Sequence, residues 1–193
     1  MALPKEYVGY FSAELIKRLE HSGKVQIQNQ AAAAEKVQQV LDADTAQADK
    51  LNQEVRDYLE QYQERIRRDG ISFQEMYKLV KKELMKKHKI VISNRPDADG
   101  SKYSRDKVIE LSHRMVKALA EPGGKVELVE EKNEVRLEIM RQMQGLLREE
   151  SQMDHGVREK IRSQKREIAE GSEEWDLLFR KYYFDELRKL GVV

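Results

Sequence analysis

The sequence predicts an all-α fold, an elongated helical bundle built from a duplicated three-helix unit with long helical arms and at most tiny strand pieces. Three features predict it. Apolar residues recur at helical spacing over most of the chain, which marks one buried face per helix. Three prolines and ten glycines in 193 residues leave long stretches without breakers. The order of apolar stripes and stops also occurs twice, with Val8, Phe11, Leu15, Ile16 and Leu19 matched 100 positions later by Val108, Leu111, Met115, Val116 and Leu119.

The first helix begins at Pro4, which suits a first turn, and Gly23 stops it. Lys24 to Ile27 alternates and reads as a short strand piece. From Asn29 a long pattern follows, with Val37, Leu41, Ala48, Leu51, Val55, Leu59, Tyr62 and Ile66 on one stripe and Gly70 as its end. An interruption is expected near Asp42 to Thr45. As one helix, residues 30–69 would reach about 60 Å, against a diameter of about 42 Å for a compact chain of this size. The helix therefore breaks or projects.

Ser72 and Glu75 form a capping box, with Ile71 and Met76 as a hydrophobic staple. Phe73, Met76, Tyr77, Val80 and Leu84 give the next helix its buried face, and Ile90 to Ile92 reads as a further strand piece. Residues 94–103 form a polar linker. Asp97, Asp99 and Gly100 within it are part of a calcium-loop pattern, but Arg95 stands where the first ligand belongs, so a plain turn is the reading.

In the second half an extra glycine shifts the register, and Val157-Arg158, Gly171 and Val192-Val193 match Val55-Arg56, Gly70 and Ile90-Val91. Asp154 to Gly156 is the expected break in its long helix. The domain reading is a first repeat over 1–91, a linker over 92–103 and a second repeat over 104–193, packed as one unit around a pseudo-twofold axis.

The last part of the chain has the clearest local logic. Val157, Ile161 and Ile168 share a face, and Gly171 suits a left-handed stop. Ser172 caps a final helix whose first turn carries Glu173 and Glu174. Trp175, Leu178, Phe179 and Tyr182 fall on one face and read as core.

The pieces Val157-Arg158-Glu159-Lys160-Ile161-Arg162, Glu170-Gly171-Ser172, Glu174-Trp175-Asp176, Arg180-Lys181-Tyr182-Tyr183 and Glu186-Leu187-Arg188-Lys189 carry a resemblance. Over Val157 to Gly191 the chain resembles the bacterial domain-of-unknown-function family 507. The resemblance implies an α-helical bundle with projecting arms. It implies no activity and no catalytic or binding residues.

The chemistry that composition admits is narrow. With no cysteine there is no disulfide, thiol nucleophile or thiolate metal site, which fits a reducing cytoplasm. The charged N-terminal stretch lacks the apolar core of a signal peptide. No uncharged apolar run approaches the ~20 residues of a membrane span. A soluble, cytoplasmic protein is expected, with no membrane contact.

His21, His88, His113 and His155 are scattered and read as surface or helix-end residues. No phosphate-cradling or nucleophile-elbow motif occurs. The acid pairs Glu130-Glu131 and Glu149-Glu150 read as solvated helix faces. No enzyme, cofactor, metal or small-molecule substrate is expected.

Charge is uneven: residues 64–89 carry nine basic and four acidic residues within a chain of net charge +1. Arg65, Arg67 and Arg68 close the long helix, and Lys78, Lys81, Lys82, Lys86 and Lys89 follow on the next. Arg158, Lys160, Arg162, Lys165 and Arg166 stand at the corresponding place in the second half. The candidate contacts to nucleic acid or an acidic partner are Arg65, Arg67, Arg68, Lys78, Lys81, Lys82, Arg158, Arg162, Lys165 and Arg166.

The leading functional reading is a non-catalytic interaction or scaffold protein, with an unidentified protein partner or self-association. The alternative is sequence-independent contact with nucleic-acid backbone. The bland reading of the basic residues is that they complement helix C-termini in solvent.

Overall fold

The computed structural model describes residues 3–62, 72–91, 102–121, 126–164, 166 and 168–191. The first half supplies α1 (Lys5–His21), β1 (Val25–Ile27), α2 (Gln30–Glu60) and α3 (Phe73–His88). The second supplies α4 (Arg105–Leu119), β2 (Val126–Leu128), α5 (Lys132–Arg162) and α6 (Glu173–Lys189). Side-chain caps start three helices. Asn29, Ser104 and Ser172 accept from the N–H of Ala32, Lys107 and Trp175, each satisfying one of the unpaired donors of a first turn.

The principal helix contacts are α1 with α2 and α5, α4 with α2 and α5, α3 with α2, and α6 with α5. Exchanging the halves, α1 for α4, α2 for α5 and α3 for α6, turns this set into itself. The antiparallel strand pair obeys the same exchange. Val25 faces Leu128, Gln26 faces Glu127 and Ile27 faces Val126, and Gln26 and Glu127 are counterparts in sequence.

The main core lies where α1, α2, α4 and α5 meet, with Phe11, Ile16, Leu111, Met115, Ile139 and Leu146 fully or almost fully buried. Val157, Ile161, Trp175, Tyr183 and Leu187 extend it along α5 and α6. On the other side Val55 and Leu59 form a separate small cluster with Met76, Tyr77, Val80 and Leu84, which joins α3 to the end of α2. Among the described residues no helix is long and apolar enough to cross a membrane.

Several local expectations are corrected. The two long helices do not break at Asp42–Thr45 or Asp154–Gly156; each runs unbroken for 31 residues, about 46 Å. Thr45 Oγ1 donates to the Leu41 carbonyl one turn back, and Asp154 pairs with Arg158 one turn on. A single helical glycine costs only about 1 kcal/mol against alanine, less than the buried Val157 and Ile161 beyond Gly156 return.

Pro4 takes the N-cap position rather than the first turn of α1. Ser72 also sits at an N-cap, but its side chain makes no capping hydrogen bond. Packing on α2 holds that helix end, and Ile71 lies outside the described residues. Ile90 and Val91 are not in a strand, and Ile92 lies outside the described residues. The long helix of the second half ends at Arg162, before Ile168. Gly171 has the expected left-handed backbone, φ +86°, in the turn that leads into α6.

Two residues at the end of the stretch read as linker lie inside the fold. Lys102 and Tyr103 are buried, at 8% and 4% exposure, because Lys102 enters an ion-pair cluster and Tyr103 enters the main core. Asp97, Asp99 and Gly100 lie outside the described residues.

Candidate interaction surface

α3 is an amphipathic helix whose ends suit its dipole, with Glu75 in the first turn and Lys86, Lys87 and His88 in the last. Its inner face packs on α2, and Tyr77 donates its hydroxyl proton to Asn52 Oδ1 at 3.1 Å. His88 Nε2 lies 3.1 Å from the Glu54 carboxylate. Lys81 folds over the Tyr77 ring at 5.8 Å, and burial holds its pKa below the ordinary lysine value.

Lys78, Lys82, Lys87 and Lys89 are exposed and make no ion pair among the described residues. Leu79 on the same helix is also exposed, as are Tyr58 and Tyr62 on α2. The two tyrosine rings sit 4.9 Å apart. Arg65, Arg67 and Arg68 lie outside the described residues.

The second basic group has a different setting. Arg158 binds Asp154 and Glu170. Arg162 binds Glu159 at 2.7 Å and Glu170 at 2.9 Å, and Arg166 lies 3.2 Å from Glu174. Hydrogen bonds from Arg162, and then the charge of Arg158, hold the Glu170 carboxyl below the usual carboxylate range. Lys160 sits 4.3 Å from the Tyr182 ring centroid, Arg158 5.1 Å from that of Phe179 and Arg162 6.0 Å from that of Trp175. These cations lace α5 to the turn and to α6. Lys165 lies outside the described residues.

Reading Glu149-Glu150 as a solvated face fails at Glu150, which is fully buried. Its Oε1 accepts from Lys102 Nζ and, at 3.0 Å, from the Tyr183 hydroxyl. Lys102 Nζ also lies 3.3 Å from Asp154. Glu150 Oε2 has no hydrogen-bond partner among the described residues. Burial raises the Glu150 pKa, and the pull of Lys102 and Tyr183 in the other direction does not cancel it. The cluster works as a clasp between α5, α6 and the segment just before α4.

A second clasp joins α4 to α2. Lys107 Nζ binds Asp44, lies 2.8 Å from Glu110 and donates to the Val91 carbonyl at 2.8 Å. Arg114 adds bonds to Asp44 and Glu110. At the counterpart position in the other half, Tyr7 donates instead to the Leu146 carbonyl at 3.1 Å. Sequence reasoning missed both clasps.

The four histidines are exposed. Among the described residues no group of three or more histidines or carboxylates is placed to hold a metal ion.

These features define an all-α bundle with a small two-stranded ribbon, charged clasps inside and, on one arm, exposed lysines that make no ion pair among the described residues. The chain belongs to the DUF507 family, described as protein of unknown function, whose model matches residues 1–192. Family membership thus covers nearly the whole chain, well beyond Val157 to Gly191. No curated protein matches it.

Proposed function

We propose that this chain is a non-catalytic interaction protein, of the scaffold or adaptor kind, that engages an acidic protein partner through the α2–α3 arm. The observation that carries this is the set of exposed lysines on α3, Lys78, Lys82 and Lys87, which make no ion pair among the described residues, together with exposed Leu79 on the same helix. Exposed apolar groups rimmed by charge are a common mark of a contact surface. The arm also has its own small core, so it can adjust to a partner with little disturbance to the bundle. The absence of cysteine fits a cytoplasmic setting.

The same lysine row supports nucleic-acid backbone contact as a second reading. That contact would come from one arm rather than two, since Arg158, Arg162 and Arg166 are already neutralised by carboxylates. Descent of the halves from one duplicated unit is part of the proposal. The exchangeable contacts and strand register support it.

A photo-crosslinking residue at Leu79, with a control at exposed Leu177 on α6, tests the arm in cells. The expected result is a discrete protein adduct at Leu79, absent at Leu177 and lost in the triple charge reversal Lys78→Glu, Lys82→Glu, Lys87→Glu. Adducts indifferent to the reversal would overturn the proposal. Fluorescence anisotropy with labelled duplex DNA and structured RNA separates the second reading, for which binding must weaken steeply with salt.

A further inference from the structure

A cavity of about 420 Å³ opens where α1, α5 and α6 come together. Tyr7, Tyr10, Met153, Val157 and Leu190 give it an apolar wall. Gly156 also lines it, and a Cβ at that helical position would meet nothing within 4 Å, so there is room for a side chain there. Glu149, Gln152, Glu186 and Lys189 form the polar part of the lining.

The two acids of this lining are held differently. Glu149 is gripped by two Arg18 nitrogens, at 2.8 and 2.9 Å. Among the described residues the Glu186 carboxylate pairs with Lys189 alone, at 2.7 Å, and the Lys189 side chain is 66% exposed. A lysine head in water gives up such a pair at little cost. Glu186 is therefore an exchangeable carboxylate beside an apolar wall. Burial first, then Tyr10 and the carboxylates of Glu150 and Glu149, keep the Tyr7 pKa above the ordinary tyrosine value, and burial with Glu14 and Glu149 does the same for Tyr10. A slot with an apolar wall, two aromatic rings and one replaceable acid matches a lysine side chain, which buries its methylene stem and keeps its ammonium at the rim.

We propose that this cavity receives a lysine side chain from a basic partner segment, with the stem along Tyr7 and Met153 and the ammonium on Glu186 in place of Lys189. This site is distinct from the α3 lysine row and stands or falls independently of it.

The test is a titration of the full chain, followed by the methyl resonance of Met153, with a blocked alanine-based peptide carrying three lysines. The same peptide with every lysine Nε-acetylated is the comparison. Saturable shifts are expected with the first and binding at least about 10-fold weaker with the second. Gly156→Leu fills the slot with a better helix former. It should weaken binding at least about 10-fold while leaving the melting temperature unchanged or higher. Lys189→Met frees Glu186 and should tighten binding.

Equal shifts from both peptides, no shift from either, or undiminished binding by Gly156→Leu would each overturn the assignment. A Met153 shift that depends on protein concentration without peptide, and is lost in Gly156→Leu, would give the slot to a second copy and overturn the foreign partner.

Discussion

The α2–α3 and α5–α6 arms start from the same plan and end differently. Each is a 31-residue helix followed by one of 16 or 17 residues. On α6, Trp175, Tyr183 and Leu187 belong to the main core, and Arg158 and Arg162 reach across to Glu170 in the preceding turn. Among the described side chains of α3 none belongs to the main core; Met76, Tyr77, Val80 and Leu84 pack on Val55 and Leu59. In one arm Arg158, Arg162 and Arg166 are taken up by carboxylates, whereas in the other Lys78, Lys82 and Lys87 make no ion pair among the described residues. A shared layout thus does not imply a shared role. The pieces that carry the family resemblance all lie in the welded arm. Their visible work is packing and ion pairing, so the resemblance by itself marks no binding site.

The largest effect that would break this comparison comes from Trp175→Ala. Truncating a buried aromatic in a main core costs about 3–5 kcal/mol, and the whole protein should melt earlier by calorimetry. Lys102→Met leaves Glu150 buried beside fewer compensating charges and should cost up to ~3–5 kcal/mol near neutral pH. That cost should shrink in acid, as the carboxyl takes up a proton.

Leu59→Ala removes a similar apolar contact, at about 2–5 kcal/mol, but in the small cluster. It should loosen α3 and leave the main melting transition nearly in place. A full drop in melting temperature would show instead that the arm is coupled to the bundle.

The smallest effect is a pH slope. The Glu150 pKa is raised from 4.5 in the fold. Its contribution to stability is therefore present below about pH 4.5 and is lost as pH rises through the folded value. Glu150→Gln removes that loss, so the stability difference between variant and parent should move in the variant's favour as pH rises above 4.5. Denaturant melts across the range check it.

Most helices were legible because their apolar residues repeat at helical spacing, and the strand piece at Val25 was legible from the alternation of Lys24 to Ile27. The clasps were not, because a charged residue in a charged helix ordinarily faces water. A signal was nevertheless present in the spacing. Met143, Glu150 and Val157 are seven apart, as are Val37, Asp44 and Leu51, so each acid lies on a buried stripe. Asp44 fell within the stretch expected to break, although it helps lock the helix in place. Lys102 and Tyr103 likewise read as linker until packing placed them inside. The unequal use of the two basic groups was not readable at all, since it depends on which carboxylates the turn before α6 brings within reach.

Native-state hydrogen exchange, resolved by residue, tests the difference between the arms most directly. Amides of residues 173–189 should exchange only with global unfolding, whereas those of 73–88 should exchange through a local opening of lower free energy. Equal protection of the two helices, at the global value, would contradict the account.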